Sequence, residues 1–349
     1  MKGIYKMHPL YQEDINNVLS SIDIEPFVGK NFLITGATGL IGMFLIDVIM
    51  HVNKEKGANI TVFAVGRNKN KASDRLGEYY GDENFHFIEQ DVRQPLPTSL
   101  IVDYIIPLAS NTHPLAYSQF PIETIEINVK GAEYALQKAL ECDATVLYPS
   151  SVEVYGNAIG NETFYEDYTG KLNLSNSRSC YTESKRVCES LCLSYMAEKK
   201  VKTKIVRLCR IFGPTMLMND TKASSQFILK ALNGEDIILK SKGEQFYSYT
   251  YVADAVGAIL HVLLNGENGI SYNIANDNCN VHLKEFALAC ANFAGTKVVF
   301  DLPTDIERAG YSVASQAILE TKRLKSIGFI PKYDFQNAIE RTISILRYQ

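Results

Sequence analysis

The chain has 349 residues, 46% of them hydrophobic and 21% charged, with a formal net charge of -4. That balance suits a globular protein with a large core and argues against bulk attraction to nucleic acid or an anionic membrane, so an anionic ligand has to be held by local groups. No apolar run reaches about 18 residues and the opening MetLysGlyIleTyrLysMetHisProLeu lacks the apolar core of a secretory leader, so a cytoplasmic location without membrane attachment is expected. The seven cysteines are scattered, with no Cys-x-x-Cys pair, and are expected to be buried reduced thiols with no metal site.

Residues 1 to 30 are expected to form a polar lead-in with a short helix around Gln12 to Ser21. Asn31 to Thr35 then reads as a buried strand, followed at once by Gly36, Gly39 and Gly42 and an apolar helical run to about His51. Strand, glycine turn and helix is the order a dinucleotide site requires, because glycines let the backbone approach a pyrophosphate whose charge rests on the helix amino end. The second strand, Ile60 to Val65, ends in GlyArgAsn, where NAD binders usually place an acid for the adenosine ribose. Arg67 reads either as a solvated surface residue or as the partner of a ribose phosphate, which keeps NADP open beside NAD.

A third strand, Phe85 to Glu89, runs into Asp91 and Val92, where the aspartate can accept from an adenine amino group. A fourth, Val102 to Pro107, leads into Leu108, Ala109 and Ser110, and then Asn111 and Thr112. Pro121 to Cys142 has helical periodicity. Strand five, Thr145 to Tyr148, delivers Ser150, Ser151 and Glu153, and strand six, Thr203 to Leu208, delivers Arg210 and a PheGlyPro turn. Strands that all end in small or polar residues imply a parallel sheet with its ligand crevice at the carboxyl edge. The fold class is therefore α/β: a Rossmann-type doubly wound sheet over 31–213, with 214–349 mainly a smaller α/β substrate domain and a segment around 250–265 returning to the first. Residues 215 to 247 are expected to form a lid helix and a hairpin over the crevice, with two amphipathic helices after about Ala317.

TyrThrGluSerLys places Tyr181 and Lys185 four apart, on one face of a helix. An ammonium near a phenol favours the phenolate, so Lys185 is expected to lower the Tyr181 pKa from about 10 and make it a general base. The pair alone reads equally as two exposed residues of an amphipathic helix.

Taken together, ThrGlyAlaThrGlyLeuIleGly, SerSerValGluValTyrGly, TyrThrGluSerLys and ArgIlePheGlyPro resemble the extended short-chain dehydrogenase/reductases of the nucleotide-sugar epimerase/dehydratase branch, from about residue 30 to 345. GluValTyrGly, ProIleGluThrIleGluIleAsn and MetAsnAsp before SerGlnPheIleLeuLysAlaLeu are similar to UDP-glucuronate decarboxylases. The resemblance implies a tightly bound, recycled NAD or NADP. It would be held by Gly36, Thr38, Gly39, Leu40, Ile41, Gly42, Arg67, Asp91, Val92, Leu108, Ala109, Ser110, Tyr181, Lys185 and Arg210. It implies Ser151, Glu153, Tyr181 and Lys185 as catalytic residues and Asn111, Thr112, Ser151, Asn219 and Tyr247 as contacts of a nucleotide sugar.

Two departures from the family pattern matter. Val152 stands where 4,6-dehydratases carry the aspartate that acts as acid for water loss, which makes dehydration the least expected reaction. Tyr247 stands where relatives place an arginine for the substrate diphosphate, and a second basic position near Tyr311 has only Arg308 nearby. The reaction expected is nucleotide-sugar epimerisation through a transient ketone, with UDP-glucuronate decarboxylation as the nearest rival and a non-catalytic dinucleotide-binding regulator as a reading of another class. The helix from Pro121 and the Tyr181 helix, paired with copies from a second subunit, would make a homodimer through a four-helix interface.

Overall fold

Phe32, Leu33 and Ile34 of Asn31–Thr35 (β1) are fully buried because helices cover both faces of the sheet it belongs to, as a parallel strand requires. A computed structural model of the protein describes residues 4–112, 114–158, 162–173, 175–301 and 316–348. Pro9–Ser20 (α1) precedes β1; Leu40–Lys56 (α2), Thr61–Gly66 (β2), Lys69–Leu76 (α3), Phe85–Glu89 (β3), Tyr104–Pro107 (β4), Pro114–Gln119 (α4), Pro121–Cys142 (α5), Thr145–Ser151 (β5), Ser179–Lys199 (α6) and Lys202–Leu208 (β6) follow. The second half contains Arg210–Phe212 (β7), Ala223–Leu232 (α7), Ile237–Leu239 (β8), Phe246–Tyr251 (β9), Val252–Asn265 (α8), Ser271–Ile274 (β10), Asn280–His282 (β11), Leu283–Ala294 (α9), Val298–Phe300 (β12), Gln316–Ala317 (β13), Lys322–Ser326 (α10) and Phe335–Arg347 (α11).

The main sheet has seven strands in the order β10-β6-β5-β4-β1-β2-β3, and every pairing in it is parallel. The strand order reverses beside β1, so the carboxyl ends of β1 and β4 open the crevice in which α/β sheets of this kind bind ligands. Helix α8, buried over most of its length, packs against this sheet, and β10 completes one edge of it. A second sheet has β9 at its centre, with β11 antiparallel and β7 and β13 parallel to it.

Three expectations change. The segment before β1 is no loose lead-in: Tyr11, Ile15 and Val18 of α1 are buried, and Asp14 accepts from Tyr251 Oη at 2.5 Å and from Arg341 Nε at 2.8 Å. The hairpin expected before residue 247 does not form, since β8 pairs parallel with the distant β12. Strand six ends at Leu208 as read, but Arg210, expected to follow it at the same carboxyl edge, opens β7 in the small sheet after a break at Cys209, whose N–H reaches Ile274 O. Among the described residues no helix is long and apolar enough to cross a membrane and no three metal-ligating side chains converge.

Candidate active site

Gly36 turns the chain out of β1 with φ +66, and a Cβ there would lie 2.7 Å from Ala109 N and 2.8 Å from Leu108 C. Any larger residue would therefore push apart β1 and the end of β4. At Gly42 a Cβ would meet Gly36 O at 2.7 Å, which holds the first turn of α2 tight against the loop. Gly39 caps α2 in extended conformation with no side chain on the cap, leaving the first backbone N–H groups pointing outward beside half-buried Thr38, Leu40 and Ile41. This cradle fits a dinucleotide pyrophosphate, since free helix N–H groups and the helix dipole both favour an anion there.

The neighbouring strand end is tied in by polar contacts. Ala109 N–H donates to Thr35 Oγ1 at 3.1 Å, and Ser110 Oγ donates to Asn128 Oδ1 at 2.7 Å. Asn128, buried in α5, donates in turn to Ser184 Oγ at 2.8 Å, and Ser184 Oγ donates to Tyr181 O at 2.9 Å. A chain of hydrogen bonds thus sets the height of the Tyr181 turn relative to the glycine loop. Asn128 escaped the sequence reading; its only signal is an amide on the inward face of an otherwise apolar stretch, IleAsnValLysGlyAla.

Val92 is buried, whereas Asp91 is partly exposed and held by Arg93, with Nη2 at 2.7 Å and Nε at 3.1 Å, contacts that keep its carboxyl below the usual range. Arg67 is already occupied: its Nη1 lies 2.8 Å from Glu123 Oε1 and 4.0 Å from Asp91 Oδ2. Of the two readings of Arg67, the surface residue fits these carboxylates better, since they would repel a phosphate placed among them.

On the catalytic side Ser151, the last residue of β5, Tyr181 and Lys185 on α6 are all buried. Lys185 Nζ donates to Pro149 O at 2.8 Å and sits 4.9 Å from the Tyr148 ring centroid and 6.0 Å from that of Tyr181. The expected acidification of Tyr181 is not present in this state. Burial pushes its phenol well above 10 and the Glu153 and Tyr117 charges add to this, while the Ser151 hydroxyl pulls the other way. The reason is positional: Lys185 spends its proton on a backbone carbonyl, and loss of solvent outweighs what the remaining neighbours return.

Burial also lowers Lys185, from 10.5 to about 8. Its ammonium is therefore half formed at about pH 8, essentially complete about one pH unit below that, and lost as pH rises further. The affinity for NAD is expected to weaken between about pH 7 and pH 9 in the wild type, and to be lower but flat with pH in Lys185→Met. Calorimetric titration at several pH values checks this; a flat wild-type profile would remove the charge of Lys185 from cofactor binding.

Tyr117 of α4 stacks on Tyr181 with centroids 5.4 Å apart and planes at 25°, covering the ring of the proposed base. Sequence reasoning missed it, because a tyrosine in a short segment after a proline carries no periodic signal. Glu153 is half exposed, follows Ser151 in a single turn and donates its N–H to Ser151 Oγ at 3.2 Å, while Val152 is buried. Ser150 Oγ is buried with no hydrogen-bond partner among the described residues.

Further out, Asn111 Nδ2 donates to Thr124 Oγ1 at 3.2 Å, Lys222 Nζ donates to Thr112 Oγ1 at 3.4 Å, and Asn219 is exposed in the loop before Asp220. Tyr247 is buried in β9 beneath the Arg210 guanidinium, which lies 3.5 Å from its ring centroid. Arg210, expected at the cofactor, stands beside Glu153, with Nη2 3.9 Å from Oε1. Arg308 and Tyr311 lie outside the described residues.

A seven-stranded parallel sheet, a glycine cradle at β1 and a buried serine, tyrosine and lysine at the carboxyl edge define a Rossmann-type dinucleotide-binding protein. The profile of the NAD dependent epimerase/dehydratase family matches residues 32–275, and the chain belongs to that family of NAD-dependent enzymes. It is 36% identical over 250 residues to UDP-glucuronic acid decarboxylase 1 of Xenopus tropicalis, covering 71% of this chain and 56% of that protein. It is 34% identical over 244 residues to UDP-glucuronic acid decarboxylase 6 of Arabidopsis thaliana, covering 70% and 68%. The match thus spans little more than half the length of the Xenopus relative.

Two solved structures share the fold at lower identity. UDP-glucose 4-epimerase of Thermotoga maritima with UDP-glucose superposes with a TM-score of 0.75 at 19% identity, covering 91% of this chain and 98% of that one. dTDP-glucose 4,6-dehydratase of Streptomyces venezuelae, with NAD bound, gives 0.76 at 21%, covering 91% and 97%.

Proposed function

We propose that this chain is a nucleotide-sugar epimerase that works through transient oxidation of a sugar hydroxyl. The observation carrying this is that Ser151, Tyr181 and Lys185 are buried together, with the Ser151 hydroxyl hydrogen-bonded to the Tyr181 phenol and Lys185 Nζ 6.0 Å from that ring's centroid, on the sheet whose first strand leads into the glycine cradle. NAD, held by the Gly36 to Gly42 turn, the Leu108 to Ser110 strand end and Lys185, would supply the acceptor and donor of hydride. The absence of an acid after β2 is offset by Asp91 at the end of β3, and the occupied Arg67 favours NAD over NADP.

Within that cleft Tyr181 takes the proton of the hydroxyl being oxidised, Ser151 orients that hydroxyl and donates to the oxygen as it becomes a ketone, and Lys185 fixes the ribose side of the site. Tyr181 accepts that proton only as the phenolate, and its phenol, raised by burial, would reach that form when the positive charge of an oxidised nicotinamide adjoins it. Return of hydride to the opposite face gives the epimer. Val152 supplies no acid for water loss. Decarboxylation is the second reading, supported by the identity to UDP-glucuronic acid decarboxylases.

Incubation with UDP-glucose, UDP-galactose and UDP-glucuronate, followed by product analysis, separates these readings. Epimers without carbon dioxide are expected; released carbon dioxide and a pentose would replace epimerisation by decarboxylation. Exposed Ile122, Ile125 and Leu140 on α5 and Val187 and Leu193 on α6 support a homodimer across these adjacent helices.

A further inference from the structure

In a sheet of this order the end of β2 lies at the adenosine ribose, where an acid binds the free hydroxyls or an arginine accepts a 2′-phosphate. Here β2 ends at Gly66, and Arg67 and Asn68 after it bring no carboxylate. Asn68 Oδ1 accepts from Lys71 N–H at 2.8 Å and so caps α3. Arg67 donates from Nη1 to Glu123 Oε1 at 2.8 Å, and Glu123 lies in the first turn of α5, fifty-six positions further along the chain.

Arg93 is held in the same way, with Nη2 2.7 Å from Asp91 Oδ2 and Nη1 3.3 Å from Glu126 Oε2, while Lys130 Nζ lies 3.6 Å from the other oxygen of Glu126. These three cations thus come with their carboxylates. Glu123 is also well placed. A carboxylate in the first turn is favoured by the helix dipole, and the next residue, fully buried Thr124, ties that turn to the loop after β4 by accepting from Asn111 Nδ2 at 3.2 Å.

We propose that Glu123 sets the coenzyme choice: by holding Arg67 and by its own charge it excludes a 2′-phosphate and leaves the place to the uncharged ribose hydroxyls of NAD. A phosphate entering here has to draw Arg67 away from its partner and then lie beside the carboxylate left behind, a repulsion of like charges at short range. Selection works by exclusion, so NAD itself gains little from Glu123. The proposal deepens the NAD reading above and rests on it.

The test is calorimetric titration of the full chain with NAD and with NADP, for the wild type, Glu123→Gln, Arg67→Ala and the double variant. The wild type is expected to bind NAD at least about tenfold more tightly than NADP. Glu123→Gln should bind NADP about fivefold to thirtyfold more tightly than the wild type does, with NAD affinity within about threefold, which also shows that the variant is folded. Arg67→Ala should bind NADP no better than the wild type, and the double variant should lose the gain, because the gain comes from the released guanidinium. Equal wild-type affinity for the two coenzymes, or unchanged NADP affinity in Glu123→Gln, would overturn the assignment. A gain that survives in the double variant would overturn the holding of Arg67, and a tenfold loss of NAD affinity in Glu123→Gln would overturn exclusion by making Glu123 a direct ribose ligand. Binding of neither coenzyme by the wild type counts against the dinucleotide reading itself.

Discussion

Tyr181→Phe is expected to cut turnover by about a hundredfold to ten-thousandfold while leaving NAD affinity unchanged, the range for loss of a positioned general base. The substitution removes one oxygen and keeps the ring. The stack on Tyr117 at 5.4 Å, the helical carbonyl that receives Ser184 Oγ, and the Lys185 bond to Pro149 O all survive it. A fall in melting temperature is therefore not expected, and the loss should reside in kcat. Steady-state kinetics beside calorimetric NAD titration makes the comparison. Turnover at the wild-type level would discard Tyr181 as the base, and a parallel loss of NAD affinity would make it a cofactor contact instead.

The largest expected effect on stability lies far from the cleft. Arg341 of α11 pairs with Asp14 of α1 at 2.7 Å, with Glu13 at 3.2 Å, and donates to Leu10 O at 2.8 Å; Tyr251 at the end of β9 closes on the same Asp14. Both ends of the chain and the small sheet meet at one fully buried carboxylate. Arg341→Ala leaves that carboxylate in the core without its counter-charge, at a cost of about 3–5 kcal/mol.

The cost should depend on pH in a known direction. Burial already raises Asp14 from 3.8 to about 6, against the pull of Arg341 and Tyr251, so the folded state binds this proton more tightly than the unfolded chain does. Such a group weakens the fold fully above about pH 6 and ceases to do so below about pH 4. The deficit of Arg341→Ala is thus expected to be greatest at neutral pH and to shrink toward pH 5. Asp14→Asn in the same chain should recover part of it, since the two sites share one interaction. Urea denaturation at both pH values is the measurement; a deficit under about 1 kcal/mol at neutral pH would mean that water or a rearranged Glu13 replaces the arginine.

Much of this protein was readable from local pattern. The apolar runs of β1 to β6, the three glycines after β1 and the four-residue spacing of Tyr181 and Lys185 are all legible in the sequence, because strand period, turn geometry and helix period act over a few residues. The bounds moved little: β3 is Phe85–Glu89 as read, and β5 runs on to include Ser151 itself. The parallel sheet followed from strands that end in small or polar residues.

What the chain could not declare locally was who stands beside whom across long sequence separations. Arg67 read as a surface residue or a phosphate partner with no sign of Glu123 on α5, and α1 read as a lead-in with no sign that Arg341, over three hundred positions away, reaches Asp14. The direction of the Tyr181 shift depended on a sum of desolvation over everything packed around the ring, which no spacing rule contains. Arg210 and Tyr247 show the same limit. Each read separately was an oddity, and only pairing of β7 with β9 turns them into one guanidinium on one ring, because a contact between distant segments is made by the closing of the fold and has no period in the sequence.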